Sequence, residues 1–296
     1  MPGAPELQKS MRSPRLLVIE GNTAESRAQQ LAAGGVVASQ GYADLLRELL
    51  PGALVDICYP ADPGETLPQP TALEAYDGVA ITGSALHVYE YGPAVSRQVE
   101  LVRAVLAVAT PVFGSCWGLQ VLNVAAGGSV RANPRGRELG FGRSIRLTAA
   151  GREHPMYRGK TDTFDAMTVH FDEVETLAPG ATVLASNAMS QVQSAAIRHG
   201  IAWGTQYHPE YSLRDVAVIV RRAGTKLVDE GFFMDENDLE RYSTELDALE
   251  GAPSCKALAW RHGIDGAVLD KGTRVREIAN WIAHQVLPTR SKRGRE

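Results

Sequence analysis

The chain has 296 residues, of which 44% are hydrophobic and 22% charged, and its formal net charge is −4 at pH 7. This length is sufficient for a buried core and for one or two domains. The acidic balance gives no footprint for nucleic acid, and no run approaches the ~18 apolar residues of a membrane span. The three cysteines, Cys58, Cys116 and Cys255, are far apart, which argues against a disulfide framework or a metal site. We therefore expect a cytoplasmic protein without cofactor, nucleic acid or membrane partner.

The first half of the sequence alternates apolar runs with helical patterns. Apolar runs at 15–20, 53–59 and 78–82 predict buried strands. Amphipathic patterns at 42–50 and 95–108 predict helices between them. This alternation predicts an α/β fold, in which an open and mostly parallel sheet is flanked by helices.

The next apolar run ends at Gly114, and a helical pattern begins directly behind Cys116. A strand, a tight turn and a helix in this order form a nucleophile elbow, which exposes a reactive side chain at the carboxyl edge of a sheet. The positive end of the helix lowers the pKa of a thiol placed there, and the thiolate is the nucleophilic form. A single cysteine is more often a small buried hydrophobe, so Cys116 needs a base from elsewhere in the chain.

The middle of the chain supplies that base. Short β-like pieces among Gly, Pro, Asn and Asp turns predict additional, partly antiparallel strands at 144–148, 163–169 and 182–185. A further strand then delivers His208-Pro209-Glu210 to its carboxyl end. In an extended segment, side chains two apart lie on the same side, so Glu210 can orient the imidazole of His208. If the two strand ends are neighbours, His208 can accept the proton of Cys116.

The composition changes to a helical segment beyond residue 232. Apolar residues at helical spacing in 239–249 and 275–286 predict helices with an apolar stripe. We divide the chain into a flexible N-terminus (1–13), a main domain (14–232), a helical appendix (233–289) and a basic flexible tail (290–296). The stripes predict that the appendix packs on the main domain or joins two copies of the chain in a homo-oligomer.

Together these motifs resemble the class I glutamine amidotransferase family of the Cys-His-Glu type. The elbow pattern Gly-x-Cys-x-Gly-x-Gln runs from Gly114 to Gln120, and the His-Pro-Glu follows later. In its details the chain resembles the amidotransferase half of GMP synthase, in which a loop of the Gly-Gly-Pro type is followed by a Val-Tyr pair. Thr82-Gly83-Ser84 followed by Val88-Tyr89 corresponds to that pattern here. His170 and Asp172 likewise match a His-x-Asp-x-Val piece. The resemblance implies a flavodoxin-like or Rossmann-like amidotransferase fold.

The resemblance also implies a role for each matching residue. Cys116 would attack the γ-carboxamide of a glutamine-like substrate and form a γ-glutamyl thioester, with His208 as base and then acid, oriented by Glu210. The backbone N–H groups of Gly83 and Trp117 would bind the oxyanion. The residues expected to bind substrate are Gln120, Thr168, Val169, His170 and Phe171.

Three functions remain open at this point. A free-standing enzyme would hydrolyse glutamine or a γ-glutamyl amide and release glutamate with ammonia or an amine. A glutaminase subunit would instead pass ammonia to a separate synthase or ligase, and a non-catalytic relative would only bind or regulate. The loss of a glycine and a proline at Thr82-Gly83-Ser84 makes glutamine itself less favoured as substrate. His87 lies near this loop and could meet a substrate, but it is expected to be a surface histidine, and His170 is expected to be a structural residue near the site.

Overall fold

The computed structural model describes residues 12–295, so most of the predicted flexible N-terminus (1–13) lies outside the described residues. The strands are β1 Arg15–Ile19, β2 Leu54–Cys58, β3 Gly78–Ile81, β4 Val112–Ser115, β5 Ser129–Ala132, β6 Glu138–Leu147, β7 Thr163–His170, β8 Asp172–Thr176, β9 Thr182–Ser186, β10 Ser194–Ile197 and β11 Ala202–Thr205.

The α-helices of the described residues are α1 Ala24–Ala32, α2 Ala38–Leu49, α3 Pro70–Leu73, α4 Pro93–Ala107, α5 Trp117–Ala125, α6 Ala149–Glu153, α7 Leu213–Ala223, α8 Thr225–Asp229, α9 Glu236–Gly251, α10 Lys256–His262, α11 Gly266–Leu269, α12 Lys271–Arg274, α13 Arg276–Trp281 and α14 Leu287–Lys292. A 3₁₀ turn at Pro155–Tyr157 and a π-helical turn at Ile282–Val286 accompany them. None of the helices between residues 12 and 295 has the length and apolar character needed to cross a membrane.

Nine strands form one sheet in the order β2-β1-β3-β4-β11-β10-β9-β6-β7, and β5 pairs with β8. The neighbours from β2 to β11 are parallel. The neighbours from β11 to β7 are antiparallel. This confirms the predicted α/β fold. The antiparallel part comes largely from the middle of the chain, where partly antiparallel strands were predicted.

The central strands β1, β3, β4 and β11 are buried on both faces, and helices cover the sheet on both sides. Leu17 and Ile19 of β1 belong to the apolar layer that includes α4 and α5. Leu16 and Val18, which alternate with them, belong to the opposite layer, where α2 and α13 pack. The period of two in β1 therefore divides its side chains between two cores.

The helical appendix packs on the main domain and completes the second layer. Trp281 of α13 is fully buried, and its ring centroid lies 6.1 Å from that of Phe113 in β4. A Cβ at Gly78 would lie 2.9 Å from the Trp281 ring, so β3 needs a glycine where the indole rests. Elsewhere in the appendix, α9 packs on α7. Leu246 of α9 and Val216 of α7 belong to the same apolar cluster. The appendix is thus part of the sheet's cover within the same chain.

The basic tail, 290–296, which was predicted to be flexible, makes defined contacts as far as residue 295. Helix α14 extends to Lys292, and Arg290 is buried. The guanidinium of Arg293 donates to the backbone oxygens of Val108, 3.2 Å, and Ala109, 3.1 Å. Arg295 forms an ion pair with the buried Asp77 at 3.1 Å. The arginines meet acceptors at one end of the sheet, which holds the tail in place.

Candidate active site

Three strand ends meet at one point of the sheet edge. Strand β4 pairs with β3 on one side and β11 on the other. The carboxyl ends of β3, β4 and β11 lead to Gly83, Cys116 and His208, in that order. The backbone N–H of Cys116 donates to the oxygen of Thr205 at 2.7 Å, which joins the elbow to β11. The neighbouring strand ends that the sequence required are therefore present.

The elbow depends on close backbone packing. Cys116 has φ 52° and ψ −101°, a conformation that side-chain-bearing residues adopt only when the surrounding structure holds them there. A Cβ at Gly114 would lie 2.4 Å from the carbonyl carbon of Gly118, and a Cβ at Gly118 would lie 2.6 Å from the oxygen of Ile81. Glycine is required at both positions because strand and helix approach this closely.

The carboxylate of Glu210 orients the imidazole of His208, and a hydrogen bond from Ser115 holds that carboxylate in place. The Nδ1 atom of His208 lies 2.8 Å from Oε1 of Glu210. The hydroxyl of Ser115 donates to the other oxygen, Oε2, at 2.8 Å, and the hydroxyl of Tyr42 lies 3.3 Å from that of Ser115. Both oxygens of Glu210 therefore have a partner, and its orientation toward His208 is determined.

The same contacts determine the charge on His208. Burial alone would lower its pKa, but the charge of Glu210 and the contacts with Cys116 and Glu210 outweigh burial and raise the pKa to about 10. The ring of Tyr211 stacks on the imidazole with centroids 3.8 Å apart and planes 6° apart. At neutral pH the imidazole therefore carries its second proton, in the form that can protonate a leaving amine.

The loop behind β3 approaches the imidazole without a side chain. A Cβ at Gly83 would lie 2.6 Å from Cε1 of His208. The oxygen of Gly83 accepts hydrogen bonds from Asn22 Nδ2, 3.1 Å, and Thr82 Oγ1, 3.0 Å. Ser84 Oγ donates to the oxygen of Gly21 at 2.9 Å. Side-chain hydrogen bonds from Thr82 and Ser84 thus hold this loop, where the related pattern has a glycine and a proline.

A cleft of about 990 Å³ opens at this edge of the sheet. Cys116, His208, Glu210 and Gly83 line it, together with Gln120, Val169, His170 and Phe171 from the predicted substrate-binding set. Thr168 is fully buried, and its side chain is not among those that line the cleft. The indole of Trp117 is also buried, and its Nε1 donates to Gln98 Oε1 at 2.8 Å. Only the backbone of Trp117, at the start of α5, remains available for the predicted role.

Two histidines near the cleft have structural partners. The nitrogens of His170 lie 2.9 Å from the oxygen of Asp172 and 2.8 Å from Oε2 of Glu138, which agrees with the expected structural role. The side chain of His87, which was expected at the surface, is 33% exposed. Its Nδ1 lies 2.7 Å from a carboxylate oxygen of Asp172, and Tyr89 donates to the other oxygen at 2.9 Å. His87 is therefore part of the cleft wall.

The helical appendix contributes to the cleft as well. Glu250 of α9 and Lys271 and Arg274 of α12 line it. The Oε2 atom of Glu250 accepts a hydrogen bond from the backbone N–H of Leu213 at 2.8 Å, at the start of α7. The cleft thus has one wall from the main domain and part of another from residues beyond 232.

Two contacts at the site were not predicted from the sequence. Ser115, inside the elbow, holds Glu210, and Gln206, directly before Tyr207, lies with Nε2 3.4 Å from Sγ of Cys116. Their only sequence signal is adjacency to the two motifs.

Between residues 12 and 295, no group of three or more His, Cys, Asp or Glu side chains is arranged to hold a metal ion.

The sheet, the elbow and the adjacent His-Glu pair define an α/β protein of the glutamine amidotransferase type. The family model described as glutamine amidotransferase class-I matches residues 46–222, and the chain belongs to this family. The predicted family and the predicted enzyme class are therefore confirmed.

Among curated proteins, the chain is 36% identical over 290 residues to a γ-glutamyl-L-1-hydroxyisopropylamide hydrolase of a Pseudomonas species, a match that covers 96% of this chain and 97% of that protein. It is 32% identical to one subunit of the glutamine-hydrolysing GMP synthase of Methanoculleus marisnigri, over 41% of this chain and 62% of the relative. A solved glutamine amidotransferase from Thermotoga maritima superposes with a TM-score of 0.60 at 23% identity, covering 84% of this chain and 98% of that one. The structural likeness supports the fold.

Proposed function

We propose that the protein hydrolyses the γ-glutamyl amide of a small amine through a thioester on Cys116. The observation that carries this proposal is the juxtaposition of three groups. Cys116 stands on an elbow with a positive φ, and the imidazole of His208 and its anchored partner Glu210 line the same cleft. A cysteine with an adjacent, oriented histidine is the arrangement required for nucleophilic attack on an amide.

In the first half-reaction, the thiol proton of Cys116 resides on His208, and the sulfur attacks the γ-carbonyl carbon of the substrate as the thiolate. The C–S bond forms, and the carbonyl oxygen takes up negative charge, which the backbone N–H groups of Gly83 and Trp117 would stabilise. His208 then gives its proton to the amide nitrogen, and the C–N bond breaks. The amine leaves, and the γ-glutamyl thioester remains.

In the second half-reaction, His208 is neutral and accepts a proton from water as the water oxygen attacks the thioester carbon. The C–S bond breaks, its electron pair returns to sulfur, and glutamate is released. The carboxylate of Glu210 stabilises the charge that returns to His208. The sulfur of Cys116 and the imidazole of His208 thereby return to the states in which they began the reaction.

The relatives favour an amine over ammonia as leaving group. The Pseudomonas hydrolase matches nearly the whole chain, including the helices beyond residue 232 that line the cleft. The match to the Methanoculleus GMP synthase subunit covers only 41% of this chain. That partial match supports a second candidate, in which ammonia from glutamine passes to a separate synthase.

A substrate panel on the purified protein tests the proposal. Glutamine, γ-glutamyl-L-1-hydroxyisopropylamide, γ-glutamyl isopropylamide and a γ-glutamyl dipeptide are compared by glutamate release. We expect a higher kcat/KM for at least one substituted amide than for glutamine. A clear preference for glutamine, increased by addition of a synthase, would favour the second candidate.

Cysteine variants test the nucleophile. Cys116→Ala should abolish hydrolysis on every substrate, whereas Cys255→Ala, at a partly buried thiol, should retain it. Quenching with acid during turnover should trap a γ-glutamyl adduct on the peptide that contains Cys116. Equal rates of glutamate release by the wild type and Cys116→Ala would refute the assignment, and with it the enzymatic role of this site.

A further inference from the structure

A buried glutamine contacts the sulfur of Cys116. Gln206 directly follows β11 and is fully buried. Its backbone N–H donates to the oxygen of Gln193 at 2.8 Å, which anchors it beside β10. Its side-chain Nε2 lies 3.4 Å from Sγ of Cys116. None of the catalytic steps described above uses this residue.

The neighbours of Gln206 determine which end of its amide faces the sulfur. The Nε2 atom of Gln120 lies 3.3 Å from the backbone oxygen of Asp172 and 3.2 Å from Oε1 of Gln206. A backbone carbonyl can only accept, so Gln120 must present its NH₂ group there. The same NH₂ group reaches Gln206, which must therefore present its oxygen to Gln120. The NH₂ group of Gln206 is left to face Cys116.

We propose that Gln206 is a catalytic residue that donates a hydrogen bond to the thiolate of Cys116 and to the sulfur that departs from the thioester. The inference rests on the proposed role of Cys116 as nucleophile. It also assigns a second task to Gln120, which lines the cleft: its amide holds that of Gln206 in the donating orientation.

The physical reason lies in the difference between thiol and thiolate. A hydrogen bond to a charged acceptor is about twice as strong as one to a neutral acceptor, so the donor stabilises the thiolate more than the thiol. Gln206 is fully buried, so water is not available to replace this donor. The hydrogen bond from Gln206 thus stabilises the nucleophilic form of Cys116.

The same donor acts in the second half-reaction. Water adds to the thioester carbon, the C–S bond breaks, and the electron pair returns to Sγ while the proton of the water moves to His208. Negative charge therefore reappears at the atom that lies 3.4 Å from Nε2 of Gln206. The hydrogen bond strengthens as the sulfur leaves, which lowers the barrier to hydrolysis of the thioester.

The rate of alkylation of Cys116 as a function of pH tests the proposal without reference to turnover. Iodoacetamide labelling is followed by mass spectrometry on the peptide that contains Cys116, in the wild type, Gln206→Leu and Gln206→Glu. In Gln206→Leu, we expect the curve of labelling rate against pH to shift by about one unit toward higher pH. This is equivalent to about tenfold slower labelling at the acid end of the curve. Gln206→Glu retains the shape and should shift the profile at least as far, because its carboxylate repels the thiolate.

Acid quenching during turnover provides the second readout. In Gln206→Leu, the γ-glutamyl adduct on Cys116 should accumulate to a higher steady-state level, because loss of the thioester slows by about tenfold. Gln40→Leu, which removes an exposed glutamine of α2, is the matched control and should behave as the wild type in both assays.

The outcomes separate the two proposals. If both Gln206 variants fold, as judged by circular dichroism, and label Cys116 with the wild-type pH profile, the role of Gln206 is refuted. If Cys116→Ala retains hydrolysis, the proposed nucleophile is refuted instead. A shift in both variants, with Cys116→Ala inactive, supports both proposals.

Discussion

The contact between Gly83 and His208 leads to a sharp prediction about catalysis. In Gly83→Ala, the new Cβ would lie 2.6 Å from Cε1 of His208, about 0.8 Å short of the 3.4 Å at which ordinary contact begins. The imidazole has little freedom to move, because Tyr211 stacks on it at 3.8 Å and Glu210 holds its Nδ1 at 2.8 Å. Either the ring or the loop must shift, and a misplacement of about 1 Å costs on the order of 10²-fold in rate. We expect kcat to fall by that factor.

Glutamate release on the preferred amide measures kcat, and thermal unfolding measures stability in parallel. Gly251→Ala is the matched control, since a Cβ there meets no atom within 4 Å, and it should retain the wild-type kcat. If Gly83→Ala folds and turns over at the wild-type rate, the approach of this loop to His208 is not required for catalysis.

Three further changes test the electrostatics and the packing around the site. Glu210→Gln removes the charge that helps to raise the pKa of His208 to about 10, so the alkaline limb of kcat/KM, which should fall near pH 10 in the wild type, should move to lower pH. Since the folded-state pKa is raised, this group's contribution to stability should be full below the unfolded-state pKa, near 6.5, and disappear as the pH rises through about 10. Ser115→Ala leaves Oε2 of Glu210 without its donor, and kcat should fall by about tenfold. Lys160→Met leaves the buried carboxylate of Glu277 without its cation and should lower the free energy of unfolding in urea by about 3–5 kcal/mol.

For each of these three predictions, one result would contradict the reasoning. If the alkaline limb stays near pH 10 in Glu210→Gln, the carboxylate of Glu210 is not the cause of the raised pKa of His208. An unchanged kcat in Ser115→Ala would show that Glu210 needs no second anchor. Lys271→Met is the control for Lys160→Met, because its ion pair with Glu48 is more than half exposed and should contribute less than about 1 kcal/mol. Equal losses in the two lysine variants would contradict the role of burial.

Local patterns were sufficient to predict the parts of the site that depend on neighbours in the chain. The elbow at Cys116 follows from an apolar run, two glycines and a helical pattern, and the spacing of His208 and Glu210 places both on one side of an extended segment. The buried strands of the first half were predicted for the same reason, since apolar runs bounded by glycine or proline have few other interpretations. The short strands β5, β8 and β10 were missed because runs of four or five mixed residues carry no clear period.

Sequence alone thus determined the class of fold and predicted the candidate nucleophile and its partner residues, all of which are encoded in short stretches. Tertiary structure decided that Gly83 abuts His208, that Ser115 holds Glu210, and that Gln206 reaches the sulfur of Cys116. It also decided that the helices after residue 232 cover the sheet and border the cleft, and that the basic tail is anchored. The physical reason is that these contacts join residues far apart in the chain. They depend on strand order and register, which arise from the packing of the whole core.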